Sequence, residues 1–223
     1  MPAGLETLEV HPASEPSACV VILHGLGADA SDFLPVARQL ELGPVGPVRF
    51  VMPYAPIRPV TVNGGYRMPA WYDILGSEID RQEDEPGLRA STASLQALLD
   101  REAARGVPAR RTVLMGFSQG CAMTLLAGLR YPQRLAGLVG LSGYLPLAAT
   151  TAVERHAANA DVPIFMGHGR RDGVVPLGSA EKSRDALRAL GHDVEWHDYP
   201  MEHSVNMDEI ADLQAWLLKA LAV

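Results

Sequence analysis

Short apolar runs alternate along the chain with longer segments in which apolar residues recur at helical spacing. Several of the runs are apolar at every position, which is typical of strands buried on both faces of a parallel sheet. The runs predict strands at residues 5–10, 18–23, 48–52, 112–115, 137–141, 162–166 and 193–199. The segments between them predict helices at residues 32–42, 87–105, 118–130, 178–191 and 206–221.

This order of elements predicts the fold class. We expect the first two strands to form an antiparallel pair and the later elements to alternate between strand and helix. The sequence therefore predicts an α/β protein, a single three-layer domain over residues 1–223 with a mostly parallel central sheet. The last helix has a clear start signal, because Asn206 is a favourable N-cap and Glu209 follows three residues later as a variant of the capping box.

One region interrupts the alternation of strands and helices. Residues 54–86 are rich in proline and glycine and then acidic, and they show no long helical period. Long irregular excursions in compact domains are usually binding loops or lids. The aromatic and apolar residues between 63 and 75 argue for an ordered segment, so we interpret the excursion as a binding loop.

Composition and charge exclude several function classes. The 223 residues include 19 basic and 26 acidic ones, a formal net charge of −7, and no nucleic-acid partner is expected without a clustered basic face. Cys19 and Cys121 stand in apolar stretches and are interpreted as buried small hydrophobes. With no signal-peptide pattern and no apolar run of about 20 residues, we expect a cytoplasmic protein without integral membrane contact. No metal-site or nucleotide-loop spacing is present, and we expect neither metal nor cofactor.

The stretch GFSQG at residues 116–120 lies between a predicted buried strand and a predicted helix. In that context G-x-S-x-G is the nucleophile elbow, a turn so tight that side chains at both glycine positions would meet neighbouring backbone. The turn holds Ser118 in a strained conformation and raises its hydroxyl above the sheet. Because serine alone is a weak nucleophile, the motif requires a base and an acid further along the chain.

His203 is the candidate base among seven histidines. It follows the last predicted strand and precedes the last helix, on the edge of the sheet where the elbow opens. Asp172 is the candidate acid, since it follows the preceding strand in a glycine-marked loop; the alternative is a turn carboxylate paired with Arg170 or Arg171. An acid at this place would hold the histidine tautomer and stabilise the imidazolium.

Two backbone N–H groups are candidate oxyanion donors. One belongs to Gln119, because the first N–H groups of a helix are free to donate. The other comes from the loop at residues 24–32, where glycines let the backbone turn inward and Leu26 is the first choice. We interpret His24, at the start of that loop, as a structural residue.

The motifs HGLGAD, PYAPIRPVTVNGG, MPAWYDI, GFSQG, DGVVP and YPMEHSV together resemble those of the phospholipase/carboxylesterase family of α/β hydrolases, which includes acyl-protein thioesterases. The likeness runs from about residue 18 to residue 206. It implies an α/β-hydrolase fold with a minimal lid and a triad of Ser118, Asp172 and His203. It also implies an oxyanion hole formed by the backbone N–H groups of Leu26 and Gln119.

The resemblance extends to substrate binding. It implies that the loop carrying Met68, Trp71 and Leu75 lines an acyl pocket, although Leu75 would serve a dimer contact equally well. Two positions depart from the family pattern. Cys121 replaces a common glycine after the elbow and is expected to point into helix packing. Glu202 replaces a common glycine before the candidate base, where a carboxylate would favour the protonated imidazole.

These features predict a serine carboxylesterase that hydrolyses short- to medium-chain carboxylic esters through an acyl-enzyme intermediate. The alternative within the same chemistry is an acyl-protein thioesterase or lysophospholipase that takes longer acyl chains. A catalytically silent hydrolase fold that binds an acyl ligand is the remaining alternative, but no triad residue is missing here. The expected partner is a small-molecule acyl ester or thioester, and the resemblance allows a homodimer.

Overall fold

The computed structural model describes residues 4–76 and 83–222. The strands in this part of the chain are β1 Thr7–Val10, β2 Ala18–Leu23, β3 Val48–Pro53, β4 Ile57–Val60, β5 Tyr66–Pro69, β6 Thr112–Phe117, β7 Gly137–Leu141, β8 Ile164–Gly169 and β9 Val194–Tyr199. The α-helices are α1 Leu34–Gln39, α2 Glu85–Ala104, α3 Gln119–Leu129, α4 Ala148–Glu154, α5 Leu177–Ala189 and α6 Met207–Ala220. The sequence did not predict the short helix α4.

Seven strands form one sheet in the order β1-β3-β2-β6-β7-β8-β9. The expectation that the first two strands pair with each other is wrong, because β1 lies antiparallel on β3, with Thr7 opposite Pro53. The remaining neighbours in this sheet are parallel. β2 is buried at all its positions and takes an inner place between β3 and β6. The half-buried β1 takes the edge.

Helices cover both faces of the sheet and complete the three predicted layers. On one face the buried side chains of α2 and α3 pack against the strands, and α5 contributes Leu187. On the other face α1 and α6 pack through residues that include Ala37 and Leu213. Cys19 and Cys121 are free and buried, which confirms the interpretation of both as small hydrophobes.

The excursion at residues 54–86 contains a hairpin that the sequence did not predict. β4 and β5 pair antiparallel, with Pro59 opposite Arg67 and Ile57 opposite Pro69. Proline is tolerated here because the hairpin is a separate two-stranded ribbon, in which each strand has a free edge. A bridge between Ile74 and Glu83 follows the hairpin, and residues 77–82 lie outside the described part of the chain.

The carboxyl ends of the parallel strands meet at one edge of the sheet. The loops that leave β2, β6, β8 and β9 at this edge bring together four segments that are far apart in sequence. In an open α/β sheet, ligands bind outside this edge. Within residues 4–76 and 83–222, no helix has the length and apolar character needed to cross a bilayer.

Candidate active site

Ser118 lies between β6 and α3 with backbone angles φ 55° and ψ −118°. A positive φ is strained for a residue with a Cβ. The flanking glycines make the turn feasible: a Cβ at Gly116 would overlap the carbonyl oxygen of Gly120, and a Cβ at Gly120 would overlap that of Leu23. The Ser118 N–H donates to the carbonyl oxygen of Leu141 at 2.8 Å, which ties the turn to β7.

Ser118, His203 and Asp172 form a continuous hydrogen-bonded chain. Nε2 of His203 lies 2.9 Å from Oγ of Ser118, and its Nδ1 lies 2.7 Å from Oδ2 of Asp172. An ionised carboxylate only accepts hydrogen bonds, so Nδ1 carries the proton and Nε2 is left as the acceptor for the serine hydroxyl. The imidazole also packs on the ring of Phe117, with the centroids 4.8 Å apart.

The surrounding backbone holds the Asp172 carboxylate in place. Oδ1 accepts hydrogen bonds from the N–H groups of Val174 and Val175 at 2.8 and 2.9 Å. The buried His168 places Nε2 at 2.9 Å from the carbonyl oxygen of Val175 and 3.4 Å from Oδ2 of Asp172. Burial lowers the pKa of His168, so the ring is neutral, and a proton on Nε2 faces both oxygens.

The alternative partners of Asp172 are engaged elsewhere. Arg170 forms an ion pair with Asp198, and Arg171 donates to the carbonyl oxygen of Pro200 at 2.6 Å. Neither guanidinium is paired with the Asp172 carboxylate among the described residues. The geometry therefore favours the triad interpretation of Asp172 over that of a turn carboxylate.

The candidate oxyanion donors lie beside the nucleophile. Leu26 and Gln119 line the same cavity as Ser118. Within residues 4–76 and 83–222, neither of their backbone N–H groups meets a hydrogen-bond acceptor. Gly25 stands next to the elbow, since a Cβ built on it would lie 3.4 Å from Cβ of Ser118. Both N–H groups are therefore available to a substrate oxygen.

Trp71 connects the excursion to the elbow. Its backbone N–H donates to Oε1 of Gln119 at 2.8 Å, and Nε2 of Gln119 donates to the carbonyl oxygen of Tyr72 at 2.8 Å. Nε1 of Trp71 donates to the carbonyl oxygen of His24 at 2.9 Å. The indole is fully buried and does not line the cavity, so the expectation that it contacts the acyl chain is corrected. It supports the loop that carries Leu26 instead.

A cavity of about 630 Å³ opens at Ser118. This volume lies within the range of about 300–1,000 Å³ typical of ligand pockets. Its lining side chains are mostly apolar or aromatic, and those are Leu26, Ala28, Phe33, Val62, Tyr72, Ile74, Phe117, Tyr144, Val174, Val175 and Val205. The cavity therefore has an apolar wall that can hold a hydrocarbon chain.

Met68 and Leu75 do not line this cavity, which corrects a second expectation. Sδ of Met68 lies near Gly27, since a Cβ built on that glycine would be 3.5 Å from the sulfur. Leu75 is exposed. Tyr72 and Ile74, which belong to the same loop, line the cavity. Sequence spacing did not show which side chains of an irregular segment face inward.

Glu209 was interpreted from the sequence as part of a capping box. Asn206 does cap α6, since its Oδ1 accepts a hydrogen bond from the Glu209 N–H at 2.9 Å. The Glu209 carboxyl group points elsewhere: it is fully buried against Gly167 of β8, and neither oxygen has a partner among the described residues. Burial raises the pKa of Glu209 to about 8, with a smaller contribution from Asp212.

A model of the phospholipase/carboxylesterase family matches residues 6–221. The chain belongs to the phospholipase/carboxylesterase family. Acyl-protein thioesterase 1 of Mycosarcoma maydis is 40% identical over 97% of this chain and 98% of its own length. Acyl-protein thioesterase 1 of Yarrowia lipolytica is 37% identical over 90% of this chain and 91% of its own. The crystal structure of Zea mays acyl-protein thioesterase 2 is similar at a TM-score of 0.84 and 30% identity, over 98% of this chain and 100% of that one.

Membership in the phospholipase/carboxylesterase family gives the chain an α/β-hydrolase fold and makes it a serine hydrolase of ester-type bonds. Both departures from the family pattern can now be located. Cys121 is fully buried against Gly140 and Gly143, and burial raises the pKa of its thiol. Glu202 is exposed and makes no hydrogen bond or ion pair with His203 in the described part of the chain. Among residues 4–76 and 83–222, no three His, Cys, Asp or Glu side chains lie close enough together to hold a metal ion.

Proposed function

We propose that the protein is a thioesterase that removes fatty acyl groups from cysteine residues of proteins. The observation that carries this proposal is the likeness to proteins named acyl-protein thioesterase 1, at 36–40% identity over 90% or more of this chain in five fungal relatives. This alternative now stands ahead of the short- to medium-chain carboxylesterase. Carboxylesterase activity remains the second candidate, because the family itself is named for it.

Ser118 is the nucleophile in the proposed acylation step. His203 takes the hydroxyl proton at Nε2, 2.9 Å from Oγ, as Oγ adds to the thioester carbonyl carbon. Collapse of the tetrahedral intermediate breaks the carbon–sulfur bond and leaves the acyl group on Ser118. The departing thiolate takes the proton from Nε2 and leaves as the cysteine thiol. Asp172, 2.7 Å from Nδ1, stabilises the transient imidazolium.

Water completes the proposed cycle in the deacylation step. His203 accepts a proton at Nε2 from a water molecule whose oxygen attacks the acyl-serine ester. The carbon–oxygen bond to Ser118 then breaks, Oγ recovers the proton from Nε2, and the fatty acid is released. In both steps the N–H groups of Leu26 and Gln119 receive the carbonyl oxygen as it becomes negative. Losing one such donor typically costs about 3–4 kcal/mol in the transition state.

The cavity supports an acyl chain as the bound part of the substrate. Its walls include Phe33, Ile74 and Val205, and burial of each methylene against such walls contributes about 0.8 kcal/mol. Several chain lengths should be accepted, since an apolar pocket discriminates by only about 1–3 kcal/mol per methylene.

Matched peptides test this proposal. One peptide carries a palmitoyl thioester on cysteine, and the other carries the palmitoyl oxoester on serine at the same position. We expect a higher kcat/KM for the thioester, and no turnover of either peptide by Ser118→Ala. A higher kcat/KM for short-chain 4-nitrophenyl esters than for the palmitoyl thioester would favour the carboxylesterase instead. Turnover by Ser118→Ala would contradict both.

A further inference from the structure

His24 is a buried histidine at the start of the loop that follows β2, and the proposed mechanism does not use it. Nε2 lies 3.0 Å from the backbone nitrogen of Ala55, and Nδ1 lies 2.8 Å from the carbonyl oxygen of Gly25. The Ala55 N–H can only donate, so Nε2 must accept and carries no proton. Nδ1 therefore holds the proton and donates it to the Gly25 carbonyl. Burial lowers the pKa of His24, which keeps the ring in this neutral form.

The Gly25 carbonyl and the Leu26 N–H belong to the same peptide group. This peptide is trans, and in a trans peptide the C=O and N–H bonds point in opposite directions. A hydrogen bond that fixes the carbonyl on one side of the plane therefore fixes the N–H on the other. The Ala28 N–H also donates to the Gly25 carbonyl, but at 3.3 Å, so the imidazole is the shorter of its two donors.

The side of this peptide opposite the Gly25 carbonyl faces the cavity at Ser118. Leu26 and Gly25 line the cavity that contains Ser118, and Gly25 stands against the elbow. The Leu26 N–H has no acceptor among the described residues, so its direction is set by the orientation of its own peptide; the next peptide is held by the Gly27 N–H, which donates to the carbonyl oxygen of Pro69 at 2.9 Å. The residue on the carbonyl side of the Leu26 N–H's own peptide is Gly25, which has no Cβ to restrict its backbone, so the peptide would otherwise rotate easily.

We propose that His24 is a positioning residue whose imidazole fixes the Gly25–Leu26 peptide and so aims the Leu26 N–H into the oxyanion hole. A donor that is already aimed costs no reorganisation when charge develops, which is the basis of its catalytic value. The ring is itself held by Trp71, whose centroid lies 5.4 Å away and whose Nε1 donates to the His24 carbonyl. The inference rests on the proposed function in one respect, because the proposed reaction forms the oxyanion that the Leu26 N–H binds.

Two amide variants, each of which places a polar atom near one ring nitrogen, separate the two hydrogen bonds of the ring. In His24→Asn the amide nitrogen takes the place of Nδ1, so the bond to Gly25 is kept and the bond to Ala55 is lost. In His24→Gln the amide oxygen takes the place of Nε2, so the bond to Ala55 is kept and the bond to Gly25 is lost. Both variants remove one buried hydrogen bond, and their thermal midpoints should fall by similar amounts.

The positioning role predicts different kinetics for the two variants on the palmitoyl thioester peptide. We expect kcat to fall by about 100-fold in His24→Gln with KM changed by less than about threefold, because an oxyanion donor acts in the transition state. We expect His24→Asn to keep kcat within about fivefold of the unmodified protein. The matched control is His192→Gln, which changes a buried histidine at the amino end of β9 and should leave kcat unchanged.

A purely structural role would give equal kcat values for His24→Asn and His24→Gln, and that result would overturn the proposal. The rate of Ser118 labelling by a fluorophosphonate probe needs no substrate, so it tests the positioning role even if thioester turnover is absent. Should either variant fail to fold, the imidazole ¹⁵N shifts of the unmodified protein decide the point. A proton on Nε2 of His24 instead of Nδ1 would overturn the proposal.

Discussion

At the scale of single residues, the proposed mechanism depends on which nitrogen of His203 carries a proton. Asp172 sets this by accepting from Nδ1 at 2.7 Å, with its other oxygen held by two backbone N–H groups. In Asp172→Asn the amide can donate to Nδ1 and so favour the wrong tautomer. We predict a fall in kcat of about 10⁴-fold, measured on the palmitoyl thioester peptide.

The control for this variant is Asp198→Asn, which makes the same chemical change in a carboxylate of the same region that pairs with Arg170. It should keep kcat within about twofold. An equal loss in the two variants would mean that negative charge near the site, and not the tautomer of His203, explains the effect of Asp172→Asn.

Glu209 links the stability of the protein to pH. Its pKa is about 8 in the folded protein and close to 4.5 in an unfolded chain. Between these values the folded state holds a proton that the unfolded state has lost, so the free energy of unfolding falls as pH rises. The slope approaches about 1.4 kcal/mol per pH unit in the middle of the window and vanishes above the folded pKa.

Glu209→Gln should remove this dependence. We predict that the thermal midpoint of the unmodified protein falls from pH 5 to pH 8 relative to that of the variant, because the amide never ionises. Glu15→Gln, which changes an exposed carboxylate, should follow the unmodified protein. Parallel curves for the unmodified protein and Glu209→Gln would show that the buried carboxyl group is not the source of the pH dependence.

Single residues differ in how far the sequence predicted them. That Ser118, Asp172 and His203 lie together was predictable, because each stands within four residues of the end of a strand of a parallel sheet and the carboxyl ends of those strands share one edge. Glu209 was not, since its burial depends on Gly167 of β8, which leaves room for a carboxyl group across the helix–sheet contact. The spacing of apolar and polar residues within α6 does not show which residue of β8 lies opposite Glu209.

At the scale of elements, the elbow works because β6 and α3 approach β2 without side chains between them. A Cβ at Gly120 would overlap backbone of Leu23 and His24. We predict that Gly120→Ala lowers the free energy of unfolding by at least about 1–3 kcal/mol, measured by urea denaturation, and lowers kcat with it. Gly178→Ala in α5 meets nothing within 4 Å and should raise stability by up to about 1 kcal/mol.

The excursion contains residues with two separable tasks. Trp71 is buried and donates to the carbonyl oxygen of His24 in the loop that carries Leu26, whereas Val62 is exposed and lines the cavity. We predict that Trp71→Phe lowers kcat/KM by a similar factor for all acyl thioesters from butanoyl to palmitoyl. The variant removes the indole N–H, and Trp71 does not line the cavity proposed to hold the acyl chain. Val62→Phe should instead shift the preference towards shorter chains. A change of chain-length preference in Trp71→Phe would show that the indole contacts the acyl chain and would contradict this prediction.

Most elements were predictable from their periodicity, and the exceptions have physical causes. The hairpin of β4 and β5 was missed because Pro59 and Pro69 argue against strands, although a two-stranded ribbon tolerates them. The partner of β1 was misassigned because neighbours in sequence need not be neighbours in the sheet. β3, which follows later in the chain, lies between β1 and β2 in the sheet.

At the scale of the whole molecule, one edge of the sheet brings together the four loops that carry Leu26, Ser118, Asp172 and His203, beside a cavity of about 630 Å³. The two apolar cores on either side of the sheet pack the helices against the strands from which these four loops leave. This arrangement supports covalent catalysis at Ser118, and an acyl thioester is the substrate that we propose from the likeness to acyl-protein thioesterase 1.

The most direct test is the mass of the protein after rapid mixing with the palmitoyl thioester peptide and an acid quench. We predict an adduct of one palmitoyl group on the tryptic peptide of residues 112–130, absent from Ser118→Ala. Because that peptide also contains Cys121, fragmentation and resistance to neutral hydroxylamine must place the group on the serine oxygen. An adduct on Cys121, or turnover that persists in Ser118→Ala, would contradict a mechanism that proceeds through an acylated Ser118.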